Sequence, residues 1–295
     1  MNHSVDSTLL APSGGTEAGS HSIGEILIGL GFLDVSAAER IAEAQRTQGL
    51  RFGDAAVRLK ILTAADIEFA LAKQFEYHYI DAKDASVSRE LVSALQPFGP
   101  FAEKMRSLRT SLQVARAAQP GAPATVGIIS PGAKEGRSFI AANLAIAFSQ
   151  MGERTLLVDA DMRNSSQQRF FNMPSSMGLS NVLLGRADTS CIARVPHFFD
   201  LSVLTGGSAP PNPQELLTRA RFASLLEELA KAYDVLIVDT PPATSFADAR
   251  IIASRVGMNV LVARAGTTEA RDLERAHNDL TASGAVVVGT VLNDA

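Results

Sequence analysis

Thr125-Val-Gly-Ile-Ile-Ser-Pro-Gly-Ala-Lys-Glu-Gly-Arg-Ser138 is the stretch on which the reading turns. A short apolar, β-branched run leads straight into a loop with two glycines. That loop opens the helical pattern of residues 138–151, which Gly152 closes. A loop between strand and helix aims backbone N–H groups and a helix N-terminus at one place, and that place favours phosphate. The phosphate-loop pattern G-x-x-x-x-G-K-[ST] ends here as Gly136-Arg137-Ser138, with arginine for lysine, and Pro131 stands where the first glycine would be. Alone, the loop reads equally well as an ordinary glycine-containing strand-to-helix turn.

Outward from the loop the same rhythm repeats. Apolar runs at 155–158, 201–204, 235–238, 260–263 and 286–292 alternate with helical patterns such as 215–232. Continuous apolar strands separated by helices predict a doubly wound, mostly parallel α/β sheet covered on both faces. Ligands of such sheets bind at the carboxyl ends of the strands. The second strand runs into Val158-Asp-Ala-Asp-Met-Arg163 and the fourth into Val238-Asp-Thr-Pro-Pro242. Asp159, Asp161 and Asp239 therefore sit on the rim that carries the loop. An acid at a buried strand end needs a partner or a cation. With the hydroxyl of Ser138, these acids fit a magnesium ion held by few protein ligands and by phosphate oxygens. Unrelated caps and ion pairs are the alternative, and two clusters on one rim argue against it.

Composition sets the bounds. The chain has 295 residues, 46% hydrophobic and 20% charged, and 27 basic against 31 acidic side chains give 27 − 31 = −4. A strongly basic nucleic-acid coat and an acidic solvating tail are both excluded. One cysteine, Cys191, cannot form an internal disulfide and reads as a small buried residue in a reducing compartment. No apolar run approaches the ~20 residues needed to span a bilayer. Residues 1–21 lack a basic start followed by an apolar stretch, so no export signal is visible and a soluble cytosolic protein is expected. His3, His21, His78, His197 and His277 are scattered without ligand spacing, which argues against zinc.

Upstream, residues 1–21 are small and polar and are expected to be a disordered tail. A repeat follows. Residues 22–45 and 51–74 align at an offset of 51 − 22 = 29, matching Gly24 with Gly53, Leu30 with Leu59, Leu33 with Leu62 and Gln45 with Gln74. Each copy reads as a short helix, a turn and an amphipathic helix started by a cap such as Ser36 or Thr63, and together they predict a small helical repeat domain over 22–85. A second amphipathic helix, 98–118, carries Glu103, Arg106 and Arg109 at spacings of three, hence on one face. Residues 119–124 break it as a linker. Arg106, Arg109 and Arg116 give a basic face, but without aromatic stacking partners it does not suit nucleic acid.

At these motifs the sequence resembles the bacterial tyrosine kinases of exopolysaccharide and capsule export, in particular the chain-length-determinant subgroup. The resemblance covers nearly all of residues 98–295. It includes Glu103-x-x-Arg106-x-x-Arg109, Pro210-Pro-Asn-Pro-Gln-Glu-Leu-Leu217, Tyr233-Asp-Val-Leu-Ile-Val-Asp-Thr-Pro-Pro242 and Phe246-Ala-Asp-Ala-Arg250. It implies the deviant-Walker P-loop ATPase fold over 98–295 and an ATP- and magnesium-dependent protein-tyrosine kinase. That kinase would work at the inner face of the membrane through a transmembrane polysaccharide copolymerase. Carried over by position, the amides of Gly132, Ala133, Lys134, Glu135, Gly136, Arg137 and Ser138 would wrap the β- and γ-phosphates. Ser138 and Asp239 would hold magnesium, and Asp159 and Asp161 would order its shell and orient or deprotonate the tyrosine hydroxyl. Glu103, Arg106 and Arg109 would mediate ring-like self-association.

Three departures qualify this. Arg137 fills the slot of the phosphate-contacting lysine, keeping charge but changing shape. Lys134 stands where the family usually has glycine; a left-handed backbone there would cost about 1–2 kcal/mol, unless the ammonium reaches the phosphates instead. The sequence stops at Ala295 without the family's tyrosine-rich tail, which leaves Tyr77 and Tyr79 as possible acceptors and Tyr233 as structural. A non-catalytic ATP-binding assembly regulator is therefore a competing expectation. A septum- or partition-type positioning ATPase is a weaker one, because Gly132 stands where its signature lysine belongs. The front repeat resembles the N-terminal domain of type II secretion and pilus ATPases, some of which bind cyclic di-GMP through paired R-L-G…G…L…Q patterns. Here Ser22 replaces one arginine and Lys60 one glycine, so a partner-docking module is the better expectation.

Overall fold

A computed structural model describes residues 22–74, 80, 87–118 and 124–294. The expected tail over 1–21, together with Tyr77 and Tyr79, lies outside the described residues. The chain divides into two compact units, one up to Glu76 and one from Tyr77.

In the first unit, α1 (Ile23–Gly29), α2 (Val35–Gln48), α3 (Phe52–Arg58) and α4 (Ala64–Gln74) reproduce the repeat as two helical pairs. Packing is crosswise, α1 on α4 and α2 on α3. Positions related by the offset share their burial: Leu27 with Ala56, Leu33 with Leu62, Ile41 with Ala70. They also share backbone shape, for Gly31 and its counterpart Lys60 both take left-handed conformations, at φ 75° and 55°. Ser22 and Thr63 make reciprocal capping bonds with Glu25 and Asp66. The second helix is capped by Asp34 rather than Ser36, since the Asp34 carboxylate accepts from the Ala37 amide at 2.7 Å.

The second unit is a seven-stranded sheet in the order β3-β4-β2-β5-β1-β6-β7. The strands are β1 (Thr125–Ile129), β2 (Thr155–Asp159), β3 (Ala193–Val195), β4 (Phe198–Leu204), β5 (Val235–Asp239), β6 (Met258–Arg264) and β7 (Val287–Asn293). All pairings are parallel except that of the edge strand β3 with β4. Alternation along the strands feeds two cores. Val235 and Ile237 pack with α7 (Arg137–Ser149), whereas Leu236 and Val238 pack with Leu179 of α9 (Leu179–Leu183) and Phe222 of α11 (Ala220–Ala232). α7 is buried almost all round, and its alanines at 141, 142, 145 and 147 let it lie close to the sheet. α10 (Pro213–Thr218) is separate from α11 because Arg219 is extended, so the single helix expected over 215–232 is two. The remaining helices are α5 (Val92–Leu95), α6 (Pro100–Ala117), α8 (Gln167–Phe170), α12 (Asp248–Ala253) and α13 (Ala270–Ala282). Residues 87–95 belong to this unit. Leu91 and Leu95 join the α7 core, and buried Asn143 of α7 accepts from the Ser93 amide and donates to the Glu90 carbonyl. No helix among the described residues is long and apolar enough to cross a membrane.

Candidate nucleotide and phosphoryl-transfer site

The loop of residues 130–136 leaves the carboxyl end of β1 at the middle of the sheet. It is stitched to the turn after β5, since Ser130 O accepts from the Ala243 amide at 3.0 Å and Pro131 O from the Thr244 hydroxyl at 2.7 Å. Gly136, at φ 97°, swings the chain into α7. Lys134 takes φ 62°, so this position does require the left-handed backbone that lysine adopts at a cost of about 1–2 kcal/mol.

A cleft of about 670 Å³ opens over the N-terminus of α7, lined among others by Lys134, Ser138, Asp161, Arg169 and Arg264. Of the seven residues expected to wrap phosphate, Ala133, Lys134, Gly136, Arg137 and Ser138 border this cleft, whereas Gly132 and Glu135 do not. Those two brace the loop instead, the Gly132 amide donating to Glu135 Oε2 at 2.6 Å. The amide of Gly132 is thus engaged inside the loop, which corrects the expectation of seven phosphate-facing amides.

Arg137 is 7% exposed and its guanidinium is spent within the protein. It donates to Thr240 O at 2.7 Å, Ser130 Oγ at 2.7 Å and Gly132 O at 2.8 Å, and stands 3.7 Å from Asp161 Oδ2. The planar fork joins the ends of β1 and β5 to the loop, a task for which an ammonium has too few fixed directions.

The three acids differ. Asp159 is fully buried. Its Oδ2 accepts from the Ser165 hydroxyl and from the amides of Ser166 and Gln167 at 2.8–3.0 Å, and its Oδ1 from the Asp161 amide at 3.2 Å. It holds the turn that enters α8 and does not border the cleft, so it orders the rim rather than facing the substrate. Asp239, paired with Asp159 across β5 and β2, accepts from Gln167 Nε2 at 2.8 Å through Oδ2. Its buried Oδ1 has no hydrogen-bond partner among the described residues. Burial, then the nearby Asp239 charge, push the Asp159 carboxyl up to about 7. Burial pushes Asp239 up to about 6, with Arg137, Ser138 and Gln167 pulling the other way. Asp161 alone of the three faces the cleft. No group of three acidic, imidazole or thiol side chains converges as a metal-binding set among the described residues. A cation here would rest on Ser138, the open oxygen of Asp239, water and phosphate oxygens, the sparse protein shell that magnesium accepts.

Sequence reasoning missed two supports. Gln167, buried at the start of α8, links Ser138 O to Asp239 through one amide nitrogen. Arg163, buttressed by Phe246, forms a two-point bond with buried Asp248. Arg163 ends a quoted motif and Gln167 follows shortly after it, but their acidic partners are 85 and 72 residues away.

On α6, Glu103 is exposed and accepts from Arg106, which also reaches Pro97 O at 2.6 Å. Arg109 is buried and donates to Ala147 O of α7. The expected single face is therefore divided: Glu103 is open, while Arg109 ties the helix to its own protomer. Arg116 reaches the Asp234 carbonyl, and Tyr233 packs against the α11 side of the core. Cys191 is half-buried and its thiol is pushed up by burial.

The fold is that of the deviant-Walker P-loop ATPases. The sequence pattern of the family described as ATPase MipZ matches residues 130–265. The chain is 34% identical over 212 residues to the putative tyrosine-protein kinase CapB of Staphylococcus aureus, covering 72% of this chain and 92% of that one. Among solved structures, the chimerical protein CapA2B2 superposes with a TM-score of 0.66 at 34% identity, over 77% of this chain and 98% of the other. The kinase domain of the Escherichia coli tyrosine kinase ETK gives 0.65 at 31%, over 69% and 79%. The septum site-determining protein MinD of Pyrococcus horikoshii, complexed with Mg-ADP, shares the fold at 21% identity and a TM-score of 0.51, over 57% and 69%. The chain belongs to the bacterial tyrosine-protein kinases.

Proposed function

We propose that this protein is an ATP-dependent protein-tyrosine kinase that regulates exopolysaccharide polymerisation, chain length and export together with a transmembrane copolymerase. One observation carries the reading: a single cleft joins the phosphate loop and Ser138 to Asp161, the one strand-end acid that faces it. The amides from Ala133 to Ser138 that border the cleft, with the N-terminus of α7, would receive the β- and γ-phosphates of ATP. Ser138 and Asp239 would hold magnesium, which when bound would neutralise charge on the phosphates. Asp161 orients the acceptor phenol and takes its proton. The phenolic oxygen then bonds to the γ-phosphorus, the bond from that phosphorus to the β–γ bridging oxygen breaks, and ADP leaves. This is catalysis by positioning and charge. Asp159 and Arg137 hold that geometry from behind.

Tyr77, Tyr79 or a tyrosine of the partner would accept the phosphate. Self-association, ring-like as in the resemblance, would use α6 with Glu103 as its open acid, and the partner would hold the protein at the inner face of the membrane. The front unit acts as a docking module; cyclic di-GMP would meet Arg51 in the second copy and Ser22 at the matching position of the first.

A second reading, a non-catalytic ATP-binding regulator, draws on the full engagement of Arg137 with Ser130, Gly132, Thr240 and Asp161. Mass spectrometry decides between them. Incubation with ATP and magnesium, with and without the copolymerase's cytosolic segment, should place phosphate on tyrosine and leave none in Asp161→Asn. Tight ATP binding without any phosphotyrosine would replace the kinase by the regulator.

A further inference from the structure

The outer side of the phosphate loop is gripped by residues that play no part in the reaction above. Glu135 is 4% exposed although it lies in a loop. Its Oε2 receives the Gly132 amide and its Oε1 the Thr268 hydroxyl, both at 2.6 Å. Thr268 sits in the turn between β6 and α13, and its oxygen also accepts the Arg264 amide at 2.8 Å. At the same residue, Asn293 at the end of β7 donates Nδ2 to the Glu135 carbonyl at 3.1 Å. That nitrogen lies 2.1 Å from where a Cβ on Gly136 would stand, so the asparagine fills the space left by the glycine. Arg264 Nη1 donates to the Lys134 carbonyl at 3.0 Å.

The grip falls where the backbone most needs it. Lys134 and Gly136, on either side of Glu135, both have positive φ, and a lysine held there relaxes unless its surroundings over-determine it. These bonds reach residues 132–135 from Arg264 at the end of β6, from Thr268 in the β6–α13 turn, from Asn293 of β7 and from within the loop itself.

We propose that Thr268 and Asn293 are positioning residues for nucleotide binding. Acting through Glu135, they fix the turn at Gly136 so that the loop's free amides converge on the phosphate chain of ATP. The last strand of the sheet and the turn after β6 thereby set the affinity of a loop whose own sequence departs from the phosphate-loop pattern. This rests on the ATP-binding reading of the cleft. Neither side chain borders the cleft.

The test uses the full chain and three variants: Thr268→Val, which keeps shape and removes the hydroxyl; Thr268→Ser, which restores it; and Asn293→Leu, which keeps size and removes the donor. A fluorescent ATP analogue reports Kd, phosphotyrosine formation reports KM and kcat, and nucleotide-free melting reports the fold. Thr268→Val and Asn293→Leu should each raise Kd and KM about tenfold, with kcat within about threefold and Thr268→Ser within about twofold of the unaltered protein. Thr268→Val binding as tightly as Thr268→Ser would overturn the proposal. So would weakening that only follows a nucleotide-free melting point lowered by more than about 4 °C. An unaltered chain that does not bind the analogue would overturn the ATP reading itself, and this inference with it.

Discussion

Among the described residues two lysines stand in left-handed backbone, one in each unit, and their surroundings differ sharply. Lys60 follows α3 in an exposed turn of the front repeat, where its counterpart is Gly31. Lys134 occupies the phosphate loop, and directed bonds hold its neighbours from three sides. The front unit is held by apolar contacts between helix pairs and by caps at their starts, so a misfit in one turn stays local. The rim of the sheet is held by polar groups that fix one another, so a misfit there is shared by the whole site. Strain tolerated in the first unit is only a stability cost; in the second it is tied to function.

The contrast breaks first at the acids. Asp161→Asn should lower phosphotyrosine formation by about 10²–10⁴ while leaving the melting curve in place, the range for a lost general base. Activity within threefold of the unaltered protein would remove Asp161 from its role. In the front unit the largest effect should come from the apolar core: Leu27→Ala, at a fully buried position, should cost about 2–5 kcal/mol. Hydrogen exchange over residues 23–74 would read it, and unchanged protection would mean that polar contacts hold that unit as well.

Acidity offers an intermediate effect. Asp159 and Asp239 keep their protons to about 7 and 6, above the ordinary carboxyl value near 4, because burial disfavours the charge. Between about pH 4 and 7 the unfolded chain has therefore released protons that the folded chain retains. Nucleotide-free stability should fall as pH rises through that window and level off above it. Magnesium-dependent ATP affinity should move the opposite way, rising up to about tenfold per unit below pH 6, since the cation needs the ionised Asp239. Calorimetric titration from pH 5 to 8 would check both signs, and a flat profile would sever Asp239 from the cation. The smallest effects come from the lysines themselves. Lys60→Gly and Lys134→Gly should each relieve about 1 kcal/mol of backbone strain. Only the second should change ATP affinity, and equal behaviour would erase the distinction between the two turns.

Most of the architecture was legible because burial on both faces writes itself as continuous apolar runs. Six of the seven strands were so marked. β3 was not, since three edge residues of mixed exposure leave no such run. The acids were legible as polar interruptions at strand ends. Their division of labour was not, because it depends on which way each carboxylate turns after the strand: Asp159 toward the amides of 166 and 167, Asp161 toward the cleft. Gln167, Asp248 and Thr268 were hidden because their partners are 72, 85 and 133 residues away. Asn293 could have been found. It ends an apolar strand run on the same rim, the signal that singled out Asp159 and Asp239. The Asp34 cap was missed by reading the first small hydroxyl, Ser36, instead of the acid that stands before the helix.

The strand order bears on synthesis. β1 and β2 follow one another in sequence yet are never neighbours, because β5 lies between them and pairs with both. A ribosome that has delivered the phosphate loop and Asp161 has delivered two edges with a gap one strand wide. The gap is filled only when residues 235–239 emerge, more than 75 residues after β2 is complete. The bond from Arg137 to Thr240 and the pairing of Asp159 with Asp239 cannot precede that event. Nascent chains released short of β5 would carry the motifs of a nucleotide-binding enzyme without a rim on which to assemble them, so the capacity to bind ATP arrives late.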